Sequence, residues 1–418
     1  MSVLIGQFGL KFSKQLRILY FHQHFTTPRG ASATRSYEFA RRLIARGHQV
    51  TMVCGSSGVR EWALAVEPGR GWLRGNIDAI DVIALPLPYS NRDGLPTRTI
   101  TFLRFAMRSL GIALRSEYDL VFATSTPLTA ALPGIVAKVF RRKPFVFEVR
   151  DLWPELPRAL GMSNPILLTG MSLLEWLAYR VCDRAIGLSP GIVEGIRRRS
   201  PRSLPITLIP NGCDLELFDP RVRAPVLLPG ISAGDFVAGF TGAHGVANGL
   251  DAVLDAAAVL QRRGKSNIKL VFVGDGKEKS RLETRAGSEG LENCRFYAPM
   301  PKAQIASLTA ALGCGLMILK NVPAFYYGTS PNKFFDYVAA GIPVVCNYPG
   351  WLADLIGANS CGLAVQPDDP EALAEALIKL AEDAALCRDM GARGRQLGER
   401  EFDRDKLGAR FCDVIERG

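Results

Sequence analysis

The sequence lacks the cysteine spacings, long apolar segments and phosphate-binding consensus that define several large protein classes. Its nine cysteines are scattered without a C-x-x-C pair, which argues against a disulfide framework or a zinc ribbon and is typical of reduced intracellular thiols. The most apolar stretch, residues 121–140, contains two prolines and a lysine, so it does not provide the roughly 20 uninterrupted apolar residues of a spanning helix. No G-x-x-x-x-G-K-[ST] sequence is present, which excludes a P-loop, and we expect no secretory signal.

Charge is distributed unevenly along the 418 residues. The chain carries 51 Lys and Arg against 40 Asp and Glu, a net charge of +11. Residues 1–215 hold 28 basic and 15 acidic side chains, a balance of +13, whereas residues 216–418 hold 23 and 25, a balance of −2. A basic excess of this kind favours anionic partners, which include phosphates, nucleic acid and anionic membranes. We therefore expect the first half, and not the second, to face an anionic surface.

Short apolar runs of strand length alternate with helical patterns in both halves of the chain. The runs are residues 17–25, 49–55, 119–125, 144–151, 183–189, 206–212, 236–242, 268–274, 294–300, 313–319 and 342–347. Consecutive apolar positions are typical of strands that are covered on both faces. The alternation predicts an α/β protein with two doubly wound parallel sheets, joined by the proline-rich segment 219–234 and facing each other across a cleft.

The segment 327–345, YGTSPNKFFDYVAAGIPVV, is the most informative strand-to-helix turn. Ser330 is a favoured N-cap and Pro331 suits the first helical position, and a helix N-terminus binds phosphate through its free N–H groups. Lys333 adds a cation in the first turn, and Asp336 lies one turn further on, where a carboxylate can accept hydrogen bonds from ribose hydroxyls. The alternative is that Lys333 and Asp336 form only a surface ion pair.

This segment, together with IPNGCDLELF (209–218), FEVRDLWPEL (147–156) and LPLPYSNRDG (85–94), resembles the family-4 retaining glycosyltransferases. Within that family the chain is similar to the bacterial O-antigen and capsule branch of WbuB-like L-fucosamine transferases. The resemblance runs from about residue 17 to the C-terminus. It implies the GT-B fold, with two Rossmann-like domains, no cofactor and no metal.

The resemblance also implies a division of labour. Residues 1–222 would bind the acceptor, residues 232–399 would bind a nucleotide-diphospho sugar, and a helix within 400–418 would return to the first domain. The donor-binding residues implied in this way are Gly30, Gly242, His244, Asn248, Gly274, Ser330, Asn332, Lys333 and Asp336.

Two departures from the family pattern concern the donor site. The wider family has two glutamates eight positions apart at the head of the 332–340 helix; Asp336 occupies the second, ribose-binding position, but Gly328 occupies the first. The wider family also has an Arg and a Lys after the first strand of the donor domain, where this chain has Ala243 and Asn248. Lys333 is our candidate for the missing positive charge, because charge-assisted contacts to phosphate are about twice as strong as neutral ones.

Catalytic and acceptor candidates cluster in the first half. FEVRDLWPE follows a strand, and we expect Glu148, Arg150 and Asp151 to be catalytic there, with a buried Glu148–Arg150 ion pair as the alternative. The histidine that many relatives have near Arg150 is absent. The acceptor-binding candidates are His24, Arg29, Trp153 and Glu155.

The sequence as a whole predicts transfer of a sugar from UDP to a lipid-diphosphate-linked saccharide by a peripheral enzyme on the cytoplasmic membrane face. We expect the sugar to be an N-acetylated amino-deoxy hexose. The alternative is an isomerase on a similar fold, such as a UDP-sugar 2-epimerase. A nucleic-acid partner is not expected, because no basic stretch interleaved with aromatic residues is found.

Overall fold

The computed structural model describes residues 15–30, 34–90, 93–222, 224–226 and 228–417. These residues form a nine-stranded sheet within residues 17–208 and a six-stranded sheet within residues 236–364. Helices follow the parallel strands in both parts. The prediction of two doubly wound α/β domains is therefore confirmed.

The first sheet has the order β3-β4-β5-β2-β1-β6-β7-β8-β9 and is parallel except where β4 pairs with β3 and β5. Its strands are β1 Arg17–Phe21, β2 Gln49–Gly55, β3 Ala65–Val66, β4 Leu73–Ile77, β5 Ile80–Leu85, β6 Leu120–Thr124, β7 Phe145–Val149, β8 Arg184–Gly187 and β9 Ile206–Leu208. Every residue of β6 and β7 is buried, as their consecutive apolar positions predict.

Six α-helices lie within residues 35–199 of the described chain. They are α1 Arg35–Ala45, α2 Leu95–Arg115, α3 Ala131–Arg141, α4 Glu155–Ala159, α5 Pro165–Val181 and α6 Pro190–Arg199. In the described part of the chain, no helix is both long enough and apolar enough to cross a membrane.

The second sheet is entirely parallel, with the order β12-β11-β10-β13-β14-β15. Its strands are β10 Phe236–Thr241, β11 Ile268–Val273, β12 Cys294–Tyr297, β13 Cys314–Met317, β14 Val344–Cys346 and β15 Gly362–Ala364. Its helices are α7 Asp251–Arg262, α8 Lys279–Ser288, α9 Lys302–Thr309, α10 Pro323–Gly328, α11 Asn332–Ala340, α12 Trp351–Asn359, α13 Pro370–Glu382 and α14 Ala384–Leu397. The strand order reverses between β10 and β13, and ligands bind at such switch points.

The last helix, α15 Arg404–Glu416, packs on α1 of the first domain. The ring of Phe411 stacks on Phe39 at 4.3 Å, and Glu416 contacts His48 at 3.0 Å. The chain therefore crosses between the domains twice. The two crossings are hydrogen-bonded to each other, because Cys213 donates to Phe402 O at 2.7 Å and accepts from Arg404 N at 3.1 Å.

Candidate active site in the interdomain cleft

A cavity of about 650 Å³ lies between the domains. Loops at the carboxyl ends of β1, β6 and β7 supply its first-domain side, and the residues before and at the start of α11 supply its second-domain side. The lining includes His22, His24, Arg98, Thr126, Arg150, Asp151, Asn211, Ser330 and Asn332. Five of the sequence-predicted site residues therefore meet in one cavity: His24, Arg150, Asp151, Ser330 and Asn332. Lys333 follows Asn332 in the chain but does not line this cavity.

Glu148 lies beneath this cavity and not in it. Its carboxylate is fully buried and accepts two hydrogen bonds from Arg35, at 2.8 and 3.0 Å, and one from Thr124 at 2.7 Å. The alternative prediction, a buried ion pair between Glu148 and Arg150, is wrong, because Glu148 forms its ion pair with Arg35. The saturated hydrogen bonding gives Glu148 the geometry of a structural ion pair.

Arg150 and Asp151 come after the end of β7 at Val149, so strand alternation does not govern where they point. Arg150 Nη1 lies 3.4 Å from His22 Nε2, and Thr126 Oγ1 donates to Asp151 at 3.0 Å. Burial raises the pKa of the Asp151 carboxyl, although Arg150 and Thr126 oppose that shift. Asp151 is thus a carboxylate in the cavity with increased proton affinity, as a general base requires.

His24 shares this side of the cavity with Tyr89, whose ring centroid lies 4.4 Å away. Burial, assisted by Arg150 and Arg98, lowers the pKa of His24 to about 4. His24 is therefore neutral near pH 7 and offers a hydrogen-bonding ring rather than a charge.

Lys333 reaches from the first turn of α11 into the loop that follows β10. Its Nζ lies 3.2 Å from Asn248 Oδ1 and 3.8 Å from the centroid of the Phe240 ring. Its Cε lies 3.2 Å from where a Cβ on Gly242 would stand. Burial lowers the pKa of Lys333 to about 7. The ammonium group is therefore placed at the loop where the wider family has its own basic residues.

Two glycines allow the turn after β10 to lie against the turn after β11. Gly242 and Gly274 have φ values of +145° and +153°, a region that L side chains rarely adopt. A Cβ on Gly274 would overlap the carbonyl oxygen of Gly242. The glycines thus bring the turns after β10 and β11 into contact at the switch point.

The predicted N-cap at Ser330 is wrong. Helix α11 starts at Asn332, and its N-cap is Pro331, which provides no side-chain hydrogen bond. The Ser330 hydroxyl instead accepts from Asn211 N at 3.0 Å, and Asn211 Nδ2 donates to Ser330 O at 2.5 Å. Because these bonds join the two domains, Ser330 is used across the cleft and is not free to cap the helix.

Asp336 lies one turn after Lys333 but in different surroundings. No ion pair joins the two within the described residues, so the surface-pair alternative is wrong. Asp336 lies near Lys302, Arg404 and Asp214, and burial raises its pKa. Asp336 is half-buried, and its carboxylate accepts no hydrogen bond from any described residue. It is not among the residues that line the cavity.

His244 is fully buried and does not line the cavity. Its ring packs against those of Phe240, Phe272 and Phe296, with centroids 6.0 to 6.3 Å apart. Neither ring nitrogen has a hydrogen-bond partner among the described residues, and burial lowers its pKa to about 4. In this geometry the His244 ring packs beneath the loop 242–249 and does not face the cavity.

The remaining acceptor candidates are not part of the cavity. Arg29 is exposed and stacks over the ring of Trp62 at 4.3 Å, and residues 31–33, which follow Gly30, lie outside the described residues. Trp153 and Glu155 contact Arg199. The structure therefore places these last two against α6 and away from the lining of the cleft.

Asn211, Thr126 and Arg35 were not predicted as site residues. Asn211 lies in a sequence, Asn-Gly-Cys-Asp, that is typical of an ordinary turn. The partners of these three residues are 119, 25 and 113 positions away in the chain. No local pattern could have identified them.

Two family descriptions match most of the chain. Residues 30–212 match the glycosyl transferase 4-like domain, and residues 229–397 match glycosyl transferases group 1. The D-inositol 3-phosphate glycosyltransferase of Corynebacterium jeikeium (strain K411) is 30% identical over 356 residues, which cover 76% of this chain and 77% of that protein. The amylovoran biosynthesis glycosyltransferase AmsK of Erwinia amylovora is 24% identical over 182 residues, covering 40% and 42%.

Solved structures agree on the fold. Sucrose-phosphate synthase from Thermosynechococcus elongatus superimposes with a TM-score of 0.73 at 18% identity, over 97% of this chain and 99% of that one. HepE of Anabaena, crystallised with UDP-glucose, gives 0.70 at 18% identity, over 97% and 100%. The predicted GT-B architecture is confirmed, and the chain belongs to the group 1, family-4-like glycosyltransferases.

Proposed function

We propose that this glycosyltransferase moves an N-acetylated amino-deoxy hexose, with retention of configuration, from UDP to a lipid-diphosphate-linked saccharide in surface polysaccharide synthesis. The observation that supports it most is the position of Lys333, whose ammonium lies 3.2 Å from Asn248 in the loop after β10. A nucleotide diphosphate needs compensating positive charge, and Ala243 and Asn248 do not provide it.

In this proposal the second domain holds the donor. The diphosphate lies at the loop 242–249, where backbone N–H groups, the N-terminus of α11 and Lys333 bind its oxygens. Asp336 accepts hydrogen bonds from the ribose hydroxyls. Because Gly328 carries no side chain, the donor sugar is recognised from the first-domain side of the cleft, which includes Arg150 and His24.

The chemistry takes place in the cavity. The bond between the anomeric carbon and the β-phosphate oxygen breaks, and UDP leaves with the electron pair. The acceptor hydroxyl oxygen bonds to the anomeric carbon, and its proton passes to Asp151. Burial raises the pKa of Asp151, which makes its carboxylate a stronger base. No step requires a metal.

The names of relatives mention other substrates, and these serve as comparisons in the test below. The names of two of them mention D-inositol 3-phosphate and GDP-mannose, and the solved HepE complex contains UDP-glucose. The absence of basic residues from the loop 242–249 does not favour any one of these substrates over the others. The name of a further relative mentions amylovoran biosynthesis.

The test is a nucleotide-release screen of the purified chain in the presence of EDTA. UDP-N-acetylhexosamines, UDP-glucose and GDP-mannose are each combined with a lipid-diphosphate saccharide, with D-inositol 3-phosphate or with no acceptor. We expect UDP release only when the lipid-diphosphate saccharide is the acceptor. The product should have the anomeric configuration of the donor sugar. A sugar isomerised without acceptor would instead support the epimerase alternative, and transfer only from GDP-mannose would overturn the UDP assignment.

A further inference from the structure

The outward side of α2 carries an apolar stripe. Leu103 and Met107 are 50% and 66% exposed, and Ile100 and Leu114 continue the same line. Spacings of three, four and seven residues place all four on one helix face. Three arginines border the stripe along one side: Arg104, Arg108 and Arg115. This side of α2 is therefore amphipathic on a surface that no described part of the chain covers.

The stripe continues across two neighbouring helices, because α3 packs on α2 and α5 packs on α3. Phe140 at the end of α3 is 73% exposed, and α5 exposes Ile166, Leu173 and Trp176. We call this surface the α2–α3–α5 face. Soluble monomers rarely expose apolar patches that extend over several elements, and such patches mark interaction sites.

Positive charge accumulates at one end of this face. All three helices follow strands of the parallel part of the sheet, so their C-termini lie at the end of the sheet away from the cleft. Basic residues near those C-termini are Arg115, Arg142, Lys143 and Arg180. The arrangement joins apolar surface to a cationic border.

A groove of about 650 Å³ opens beside the C-terminal half of α2. Five arginines and two glutamates line it: Arg17, Arg70, Arg74, Arg108, Arg115, Glu67 and Glu117. Arg17 and Arg74 are paired with aspartates. The guanidinium groups of Arg108 and Arg115 form no ion pair or hydrogen bond with any described residue, so both cations remain available to an external anion.

We propose that the α2–α3–α5 face docks onto a bilayer that contains anionic phospholipid, with the apolar side chains at the acyl boundary and the arginine groove around lipid phosphates. Apolar residues with a tryptophan and a cationic border are the composition of interfacial membrane helices. A protein partner would have to supply a matching acidic border, whereas anionic lipid supplies it everywhere.

The position of the α2–α3–α5 face relative to the cleft agrees with docking of this face onto a bilayer. Arg98 lines the interdomain cavity and lies in α2 two residues before Ile100. One helix thus extends from the cavity onto the docking face. The docking proposal does not depend on which sugar is transferred. If the proposed function holds, a lipid-linked acceptor can reach the cavity from the bilayer beside Arg98, and this one point rests on the proposed function.

The experiment is co-sedimentation of the whole chain with phosphatidylglycerol–phosphatidylcholine vesicles and with phosphatidylcholine vesicles alone. We expect binding to the anionic vesicles, weakened by salt. Arg108→Gln and Arg115→Gln should each weaken it about fivefold, and the double variant Leu103→Glu/Met107→Glu should abolish it. Val222→Glu and Arg393→Gln, at exposed positions outside the face, are the matched controls and should bind like the parent chain.

The proposal is overturned if the parent chain does not bind anionic vesicles, if the face variants bind as well as the controls, or if a protein but no vesicle binds the face. Donor binding by the same variants separates this outcome from a failure of the proposed function. All of them should bind UDP-sugar like the parent chain, since none of the altered residues lies in the cleft. Loss of donor binding in a face variant would mean misfolding, which circular dichroism and Leu103→Ser/Met107→Ser would then distinguish from loss of docking.

Discussion

The ammonium nitrogen of Lys333 lies 3.2 Å from the side-chain oxygen of Asn248, so a helix residue supplies the positive charge of a loop that has none of its own. Lys333→Ala should weaken UDP-sugar binding at least tenfold, because charge-assisted bonds to phosphate are lost. Isothermal titration calorimetry measures this. Lys277→Ala, an exposed lysine in the neighbouring turn, is the control, and an equal loss there would remove the special role of Lys333.

Donor binding should depend on pH near neutrality. Burial lowers the pKa of Lys333 to about 7, and the diphosphate favours the ammonium form. Affinity should therefore be constant below pH 6 and fall about tenfold per unit above pH 7, as the free enzyme loses the proton. A UDP-sugar is the right ligand, since its phosphodiesters do not titrate in this range. The dependence should vanish in Lys333→Ala; if it persists, another group is responsible.

Asp336 should discriminate ribose from its deoxy analogues. Its carboxylate is partly exposed and accepts no hydrogen bond from any described residue, so Asp336→Ala should cost about tenfold or more in UDP affinity. Competition binding with UDP and with its 2′- and 3′-deoxy forms checks this. In the variant, the parent chain's preference for the full ribose should disappear, and an unchanged preference would contradict the assignment.

Asp151 should control turnover without controlling donor affinity. Asp151→Asn should lower kcat about 10²- to 10⁴-fold, the usual contribution of a general base. Since burial raises the pKa of Asp151, activity should decline on acidification at a pH above the ordinary value of about 3.9. Initial rates across pH test both points: the acid limb should be absent in the variant, and an unaltered limb would assign the proton to another group.

Glu148 should matter for stability and not for chemistry. Glu148→Gln leaves the buried Arg35 guanidinium without a counter-charge and should cost about 3–5 kcal/mol of unfolding free energy. Urea denaturation measures the loss. Glu194→Gln removes an exposed pair with Arg198 and should cost about 0.5 kcal/mol or less. A stable Glu148→Gln protein with no activity would restore Glu148 to the catalytic candidates.

Much of the fold could be predicted because buried parallel strands are apolar on every position. The predicted strand at 49–55 coincides with β2. The hairpin β3–β4 was missed because Gly75 and Asn76 interrupt its apolar pattern and most of its residues are not buried. Strand β5 was missed although five of its six residues are buried, because Asp81 interrupts its apolar run. Strands β3 and β4 are covered on fewer sides than the central strands, so their sequences carry less of the signal.

The site residues also divide into those that the local sequence indicates and those whose role depends on a distant partner. The prediction that Lys333 and Asp336 bind the donor rests on local properties, which are helix periodicity and the chemistry of a helix N-terminus. The roles of Ser330 and Glu148 could not be predicted, since each depends on a partner from a distant part of the chain: Asn211 across the cleft and Arg35 across the sheet.

The paired crossings at Cys213 and Arg404 restrict how the enzyme can open. Because the two backbones are hydrogen-bonded side by side, we expect them to act as one short axis, about which the domains rotate without sliding past each other. Opening then widens the cavity without changing which loops face each other. We therefore expect Asp151 and Lys333 to return to the same relative position whenever the cleft closes, so that the connection between the domains contributes to their alignment.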